Sequence, residues 1–292
     1  MRVLVVNAGS SSLKLRILGD DDRIIAASDA ESLTQFVNGS PAVDAVGHRV
    51  VHGGTEFTDP AEIDEDVLRR LDALAPLAPL HQPRAIELIR EARSLVPGVP
   101  HVACFDTAFH ATIPDFATTY ALPSAWRERW PVRKFGFHGL SHAYAARRAA
   151  EDLGRTPGTV RVVTCHLGAG ASLCAVCDGR SVDTTMGMTP LDGVVMATRA
   201  GAVDPGLLVW LQQEAGMSVD ELEIGLEDES GLLGLAGTSN MREVLARRAA
   251  GDERARLAFD VYVHRLRQGI AAMAVSVAPL DALVFTGGVG EH

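Results

Sequence analysis

Two arginines in this sequence stand in unusual company. Arg49 lies in Gly47-His48-Arg49-Val50-Val51-His52-Gly53-Gly54, near the end of a strand-like run and ahead of two glycines that allow close approach. Arg199 lies among small residues in Met196-Ala197-Thr198-Arg199-Ala200-Gly201. Taken alone, Arg49 reads as a surface ion-pair residue. As a pair, the two could neutralise a transferring phosphoryl group and a carboxylate together, because a guanidinium is permanently charged and forks onto either anion. Asp106, in Phe105-Asp106-Thr107, falls at a strand's C-terminal end, where ligand groups gather in α/β architectures; capping a following helix is the equal alternative. His138 and His142, in Phe135-Gly136-Phe137-His138-Gly139-Leu140-Ser141-His142, flank a helix start expected at Ser141. No cysteine or third histidine has ligand spacing with them, so hydrogen-bonding roles are expected over a metal pair. His81, in Leu80-His81-Gln82-Pro83, and His110, after Phe109, read alone as structural histidines.

Three small-residue loops follow predicted strands: Asn7 to Ser12, Gly168 to Ala171 and Gly287 to Gly290. Backbone N–H groups of such loops can converge on phosphate oxygens, since small side chains admit the anion and glycine permits the needed φ. One loop of this kind is usually a turn; three at equivalent strand ends suggest a nucleotide site. No Walker A pattern is present, so P-loop chemistry does not account for it.

The elements that must position these residues read as a duplication. Arg2 to Val6, Leu13 to Leu18 and Arg23 to Ala27 predict a three-stranded meander; Val160 to His166, Ser172 to Cys177 and Arg180 to Thr184, with a hairpin signal at Asp178-Gly179, repeat it half a chain later. The first meander precedes a strand at Ala45 to Val51, a helix at Ala61 to Ala75 started by Asp59 and Pro60, a helix at Arg84 to Ser94 and a strand at Pro100 to Phe105. The second precedes helices at Pro205 to Ala215, Asn240 to Ala250 and Arg254 to Ala278, then a strand at Ala282 to Thr286. The expectation is an α/β protein of two domains, 1–108 and 109–292, with a cleft between them suited to a nucleotide.

The 292 residues allow two sizeable cores, and 22% charged with 47% hydrophobic residues is a globular balance. A net charge of −10 repels phosphate backbones and anionic lipid, so neither nucleic acid nor a membrane surface is expected as a partner. Four cysteines make no disulfide framework; Cys174 and Cys177 fall three apart on a predicted strand and read as small buried side chains. Arg2 to Val6 is too short an apolar run for a signal peptide and Gly269 to Leu280 too short for a bilayer span, so a cytoplasmic location is expected.

The motifs together resemble a family. Val5-Val6-Asn7-Ala8-Gly9-Ser10-Ser11-Ser12-Leu13-Lys14, Gly47 to Gly54, Phe105-Asp106-Thr107-Ala108-Phe109-His110, Gly136-Phe137-His138-Gly139 and Met186-Gly187-Met188-Thr189-Pro190-Leu191 are similar, in order, to those of the acetate kinases. The resemblance runs from residue 2 to the final residue. It implies the actin, hexokinase and Hsp70 superfamily: duplicated ribonuclease H-like βββαβαβα domains. It implies reversible transfer of the ATP γ-phosphoryl group to acetate, giving acetyl phosphate and ADP, with Mg²⁺ or Mn²⁺, in a cytoplasmic homodimer. On this resemblance Arg49 and Arg199 hold the carboxylate and the phosphoryl group, His138 stabilises the phosphoryl in flight, and Asp106 and Asn7 organise the phosphate and metal side, Asn7 being the metal residue. Val51, Leu80, His81, Phe137 and Pro190 match the acetate pocket. Lys14, Ser10, Ser12, His166, Gly168, Gly170, Asn240, Arg242, Gly287, Gly288 and Gly290 match the nucleotide side.

The departures are informative. Ala169 stands where the family pattern His-Leu-Gly-Asn-Gly-Ala-Ser has its asparagine, and Asn240 and Ala202 replace common aspartates. The stretch before Gly47 is shorter than usual. The chain stops at His292, just after the loop usually written Gly-Ile-Gly-Glu-Asn, where the family pattern continues through helices that supply a metal-site glutamate. Alternatives are a nucleotide-binding protein with little turnover, a propionate- or butyrate-preferring carboxylate kinase, and a sugar kinase or phosphatase of the same superfamily; the last fits neither the paired arginines nor the small apolar pocket.

Overall fold

The computed structural model describes residues 1–9, 13–29, 32–79 and 81–292. They form two compact units, Met1–Ala111 and Thr112–His292. The boundary expected after residue 108 falls within the 3-10 turn Ala108–Thr112.

In the first unit, alternating apolar residues build the meander: β1 (Val3–Ala8), β2 (Leu13–Leu18) and β3 (Ile24–Ser28). Leu4, Val6 and Ala8 of β1 and Leu13, Leu15 and Ile17 of β2 share one buried face, the period of two that a half-buried sheet requires. Pairing runs antiparallel from Val3↔Leu18 to Ala8↔Leu13, so Asn7 and Ala8, expected in the turn, are ladder residues. Helix α1 (Leu33–Asn38) leads to β4 (Ala45–Val50), which lies parallel to β1. Next come β5 (Ala61–Glu62), α2 (Glu65–Ala73), α3 (Gln82–Leu95) and β6 (His101–Phe105), giving the sheet order β3-β2-β1-β4-β6-β5.

The helix expected over Ala61 to Ala75 is shorter than its pattern. Asp59-Pro60 imitates a helix start, but Ala61 and Glu62 pair with β6, and the Ile63 N–H donates to the His101 carbonyl. Asp64 caps α2 instead, its Oδ1 accepting the Val67 N–H at 2.7 Å, with Glu65 and Asp66 favourably placed in the first turn.

The second unit opens with α4 (Asp115–Thr118), α5 (Ser124–Arg129) and α6 (Gly139–Asp152). The repeat of the meander follows as β7 (Arg161–Leu167), β8 (Ala171–Cys177) and β9 (Arg180–Thr184). Then come α7 (Pro205–Gln213), α8 (Val219–Glu227), α9 (Gly231–Ala236), α10 (Met241–Ala249), α11 (Glu253–Val277), β10 (Ala282–Thr286) and the single turn α12 (Gly287–Gly290). Sheet order is β10-β7-β8-β9, with β10 parallel to β7. That matches β4-β1-β2-β3 of the first unit strand for strand, so the duplication read from the sequence is present in the topology.

Helix α11 packs on β7, β8 and β9, and α6 packs on β7 and β10. Most of β8 is buried on both faces, which is why its pattern is continuous rather than alternating. Cys174 lies inside it, its thiol pKa pushed up to about 12 by burial, and none of the four cysteines forms a disulfide.

Candidate active site

In the first unit the parallel strands β4 and β6 carry Arg49 and Asp106 to neighbouring positions. Register pairs Arg49 with Cys104 and Val50 with Phe105; the Asp106 N–H then donates to the Val50 carbonyl at 3.0 Å. Asp106 therefore sits just past the strand end, facing Arg49 instead of capping a helix. The guanidinium donates from Nε to Asp106 Oδ1 at 3.0 Å, from Nη2 to Oδ2, and from Nη1 to Asn7 Oδ1 at 3.1 Å. Asp106 is 2% exposed and the Arg49 side chain 24%, so Arg49 screens the carboxylate from water. The Asp106 charge in turn holds the Arg49 guanidinium above its ordinary range. A guanidinium has five N–H donors. Among the described residues, this pairing leaves one N–H on each Nη uncommitted, a fork able to take a second anion.

Lys14 is the cross-strand partner of Asn7 and exposed. Val51 is buried, and His81 is half-buried at the start of α3. Ser10, Ser12 and Leu80 lie outside the described residues. Gly53, expected to admit a ligand, serves the chain itself: a Cβ there would lie 2.5 Å from the Phe57 carbonyl oxygen and 3.2 Å from Phe105 Cδ1.

In the second unit, His138 adopts a left-handed conformation, φ 58° and ψ 20°, directly before α6. A non-glycine residue is held there only where its surroundings fix it, and such positions cluster at functional sites. The helix starts at Gly139, not at Ser141. Phe135 and Gly136 N–H groups both donate to the Gly187 carbonyl, tying the His138 segment to the Met186-to-Leu191 segment; Phe137 beside it is 1% exposed. The His138 ring lies 4.4 Å from that of His166, and Ser141 Oγ meets His166 Nδ1 at 2.8 Å.

The hairpin between β7 and β8 brings these groups to Arg199. A methyl group on Gly170 would lie 3.5 Å from Arg199 Nη1 and 3.5 Å from both His138 Nε2 and Cε1. Glycine thus keeps the loop backbone open between a guanidinium and an imidazole. Gly168 donates its N–H to the Gly170 carbonyl, and the exposed Ala169 accepts from the Ala197 N–H, locking the hairpin to the Arg199 segment. Arg199 also reaches the Pro190 carbonyl at 3.4 Å and pairs with Glu227 at 3.7 Å. Burial raises the Glu227 carboxyl pKa, against the opposing pull of Arg199. Gly231, at φ 62°, lets α9 abut this segment, so that the Leu232 and Leu233 N–H groups cap the Met196 and Ala197 carbonyls.

Asn240, Arg242 and Gly288 line a cavity of about 500 Å³ together with Phe259 and Tyr262. Asn240 Oδ1 caps α10 by accepting the Arg242 N–H at 3.0 Å. The buried Tyr262 hydroxyl has no hydrogen-bond partner among the described residues. Gly287 to Gly290, expected as an open loop, is a helical turn whose first N–H is taken by Glu291 Oε1 at 3.1 Å.

The model of the acetokinase family matches residues 28–292. The chain belongs to the acetokinase family. An acetate kinase of Streptomyces coelicolor is 43% identical over all of this chain and 82% of its own length. Among solved structures, a propionate kinase of Francisella tularensis aligns with TM-score 0.91 at 37% identity, covering 100% of this chain and 84% of that one. An acetate kinase of Porphyromonas gingivalis aligns with TM-score 0.91 at 36% identity, with the same coverage. The acetokinase fold, a duplicated actin-like α/β plan, is thus the one anticipated from the paired meanders. Three further residues carry no local signal that marks them: Glu227, which pairs with Arg199, Ser172, which meets His138, and Thr164, which meets His142. Ser172 and Thr164 are at best readable as polar residues inside otherwise apolar strands.

Proposed function

We propose that this acetokinase transfers the γ-phosphoryl group of ATP to a short-chain carboxylate, acetate first, giving an acyl phosphate and ADP. The supporting observation is the convergence of Arg199 Nη1 and His138 on the Gly170 hairpin. A carboxylate oxygen forms a bond to phosphorus as the bond from phosphorus to the ADP oxygen breaks, and no proton need move. The chain supplies positioning and charge, the main terms for a loose phosphoryl-transfer state. Arg199 and His138 take the transferring phosphoryl oxygens, and the open fork of Arg49 takes the carboxylate. On this reading Val51, Leu80, His81, Phe137 and Pro190 are the residues assigned to acetate, and Asn240, Arg242 and Gly288 those assigned to the nucleoside.

Mg²⁺ is tested by the donors present. Among the described residues no three carboxylate, histidine or cysteine side chains group as a metal cage. Asp106 and Asn7 each offer oxygens while paired to Arg49. That sparse set is no cage, and it fits a cation carried mainly by nucleotide phosphates, the usual habit of Mg²⁺. Asn7, only half-buried, would lend it a side-chain oxygen, with the sealed Asp106–Arg49 pair behind; when bound, the ion would supply charge neutralisation at the phosphates. The reading carries with it a homodimer and a cytoplasmic location, checked by sedimentation and by fractionation. No described helix is long and apolar enough to cross a membrane.

The test is hydroxylamine trapping with Mg-ATP and acetate. Acyl hydroxamate above a blank without enzyme supports transfer; none, with ATP binding intact, supports the binding-only alternative. Propionate run in parallel sets the acyl preference.

A further inference from the structure

Behind His138 lies a chain of buried polar groups. His138 Nδ1 meets Ser172 Oγ at 2.9 Å, His142 Nε2 meets the same Oγ at 2.7 Å, and His142 Nδ1 meets Thr164 Oγ1 at 2.7 Å. Ser172, His142 and Thr164 are at most 1% exposed. A serine hydroxyl has one proton and a neutral imidazole has one, so these bonds can point in only two concerted directions. In one, His138 donates to Ser172, Ser172 to His142 and His142 to Thr164; the Thr164 hydroxyl must then find another acceptor. The Cys174 carbonyl at 3.5 Å is the contact it has, at the limit of a useful bond. In the other, Thr164 donates to His142 Nδ1, His142 Nε2 to Ser172, and Ser172 to His138 Nδ1. Every buried hydroxyl and ring proton then has an acceptor within 2.9 Å.

The geometry points to the second direction: we propose that Thr164, His142 and Ser172 form a hydrogen-bond wire that fixes His138 as the tautomer protonated on Nε2. The wire presents an N–H, not a lone pair, on the side of Gly170 where Arg199 Nη1 also lies. A donor is what a negatively charged transferring group requires, and a lone pair there would repel it. Ser172, His142 and Thr164 are positioning residues acting through His138. This inference rests on the phosphoryl-transfer reading for its consequence, but not for the tautomer itself.

The closing experiment records long-range proton–nitrogen correlations of the histidine rings in the full chain labelled with ¹⁵N-histidine, His138 being assigned by its loss in His138→Asn. A neutral His138 ring with its proton on Nε2 is the expected result; a proton on Nδ1 alone overturns the wire. Kinetics supply the second arm. Ser172→Ala is expected to lower kcat about tenfold or more, with KM for ATP and acetate within about threefold. Thr164→Val should fall in the same direction and Thr164→Ser should stay near wild type. Equal losses in the two Thr164 variants would overturn the wire, and so would an unchanged kcat in Ser172→Ala. If Ser172→Ala does not fold, the wild-type spectrum and the Thr164 pair decide. A wild-type chain that makes no acyl phosphate refutes the transfer reading while leaving the spectrum to decide the tautomer.

Discussion

Arg49 and Asp106, 57 residues apart in sequence, are bound to each other through one edge of the guanidinium, Nε and Nη2, the carboxylate nearly sealed and the arginine partly open. The arginine of the proposed carboxylate site is thus oriented before any substrate arrives. It is also half of a mostly buried ion pair, so activity and stability are linked at one residue.

Arg49→Ala is therefore expected to act twice. Turnover should fall roughly 10²-fold or more, as for loss of a preorganised charge. Stability should fall by about 3–5 kcal/mol, because the sealed Asp106 carboxylate is left without its counter-charge. Replacing both, Arg49→Met with Asp106→Leu, should recover much of the stability and none of the activity. Urea unfolding beside the hydroxamate assay separates the two effects; a stable but inactive single variant would mean that Asp106 finds water or another donor.

Arg199→Ala should behave differently. Its partner Glu227 stands 3.7 Å away with 16% of its side chain exposed, so the ion pair is loose and water reaches the carboxylate. A stability change within about 1 kcal/mol is expected, with a turnover loss again near 10²-fold or more. Near-wild-type kcat in this variant would remove Arg199 from the reaction.

What could be read beforehand divides along a physical line. The meanders were legible because a half-buried strand writes its burial into alternate residues, as in Leu4, Val6 and Ala8. Residue types that carry charge were legible too. The partnership of Arg49 with Asp106 was not, since it depends on β4 and β6 being neighbours in register, which nothing local encodes. Ser172 and Thr164 were not legible because hydroxyls within strands read as ordinary strand residues until helix α6, packed on the sheet, brings His142 between them. Helix α8 had a usable signal, the capping box Ser218 with Glu221, and was missed for want of a strong apolar period.

Acid should weaken the first unit through its histidines. His48 Nε2 and His101 Nδ1 meet at 3.0 Å in the core, and His101 Nε2 faces the Val96 carbonyl. His101 thus donates from Nε2 and accepts at Nδ1 from His48, whose own Nδ1 is buried without a partner among the described residues. A proton added there would have no acceptor, and burial holds His48 down at about 3 from the ordinary 6.5. Burial likewise lowers His52, to about 4. Between those values and 6.5 the unfolded chain binds protons that the folded chain does not, so stability rises with pH across that window and is lost on acidification. The slope is about 1.4 kcal/mol per pH unit for each such histidine. Unfolding curves at pH 7.5, 6 and 5 should show the decline, and His48→Gln should flatten it; equal slopes in the two proteins would mean the pair does not titrate on unfolding.

Ala169→Asn tests whether the second hairpin faces phosphate. Ala169 is exposed at the tip, its carbonyl engaged by the Ala197 N–H, so a longer side chain there displaces nothing from the core. The neighbouring Gly170 keeps the backbone open beside Arg199 and His138. An amide donor added at this point should lower KM for ATP, by a factor corresponding to at most about 1.5–3 kcal/mol, and by less where a water already serves the same oxygen. KM for acetate should not move, because the change adds a donor to the loop assigned to the nucleotide phosphates and touches no group assigned to the carboxylate. Steady-state kinetics with each substrate varied in turn distinguish the cases. A shift confined to acetate would place the carboxylate, not the nucleotide, against this hairpin and would exchange the proposed roles of Arg199 and Arg49.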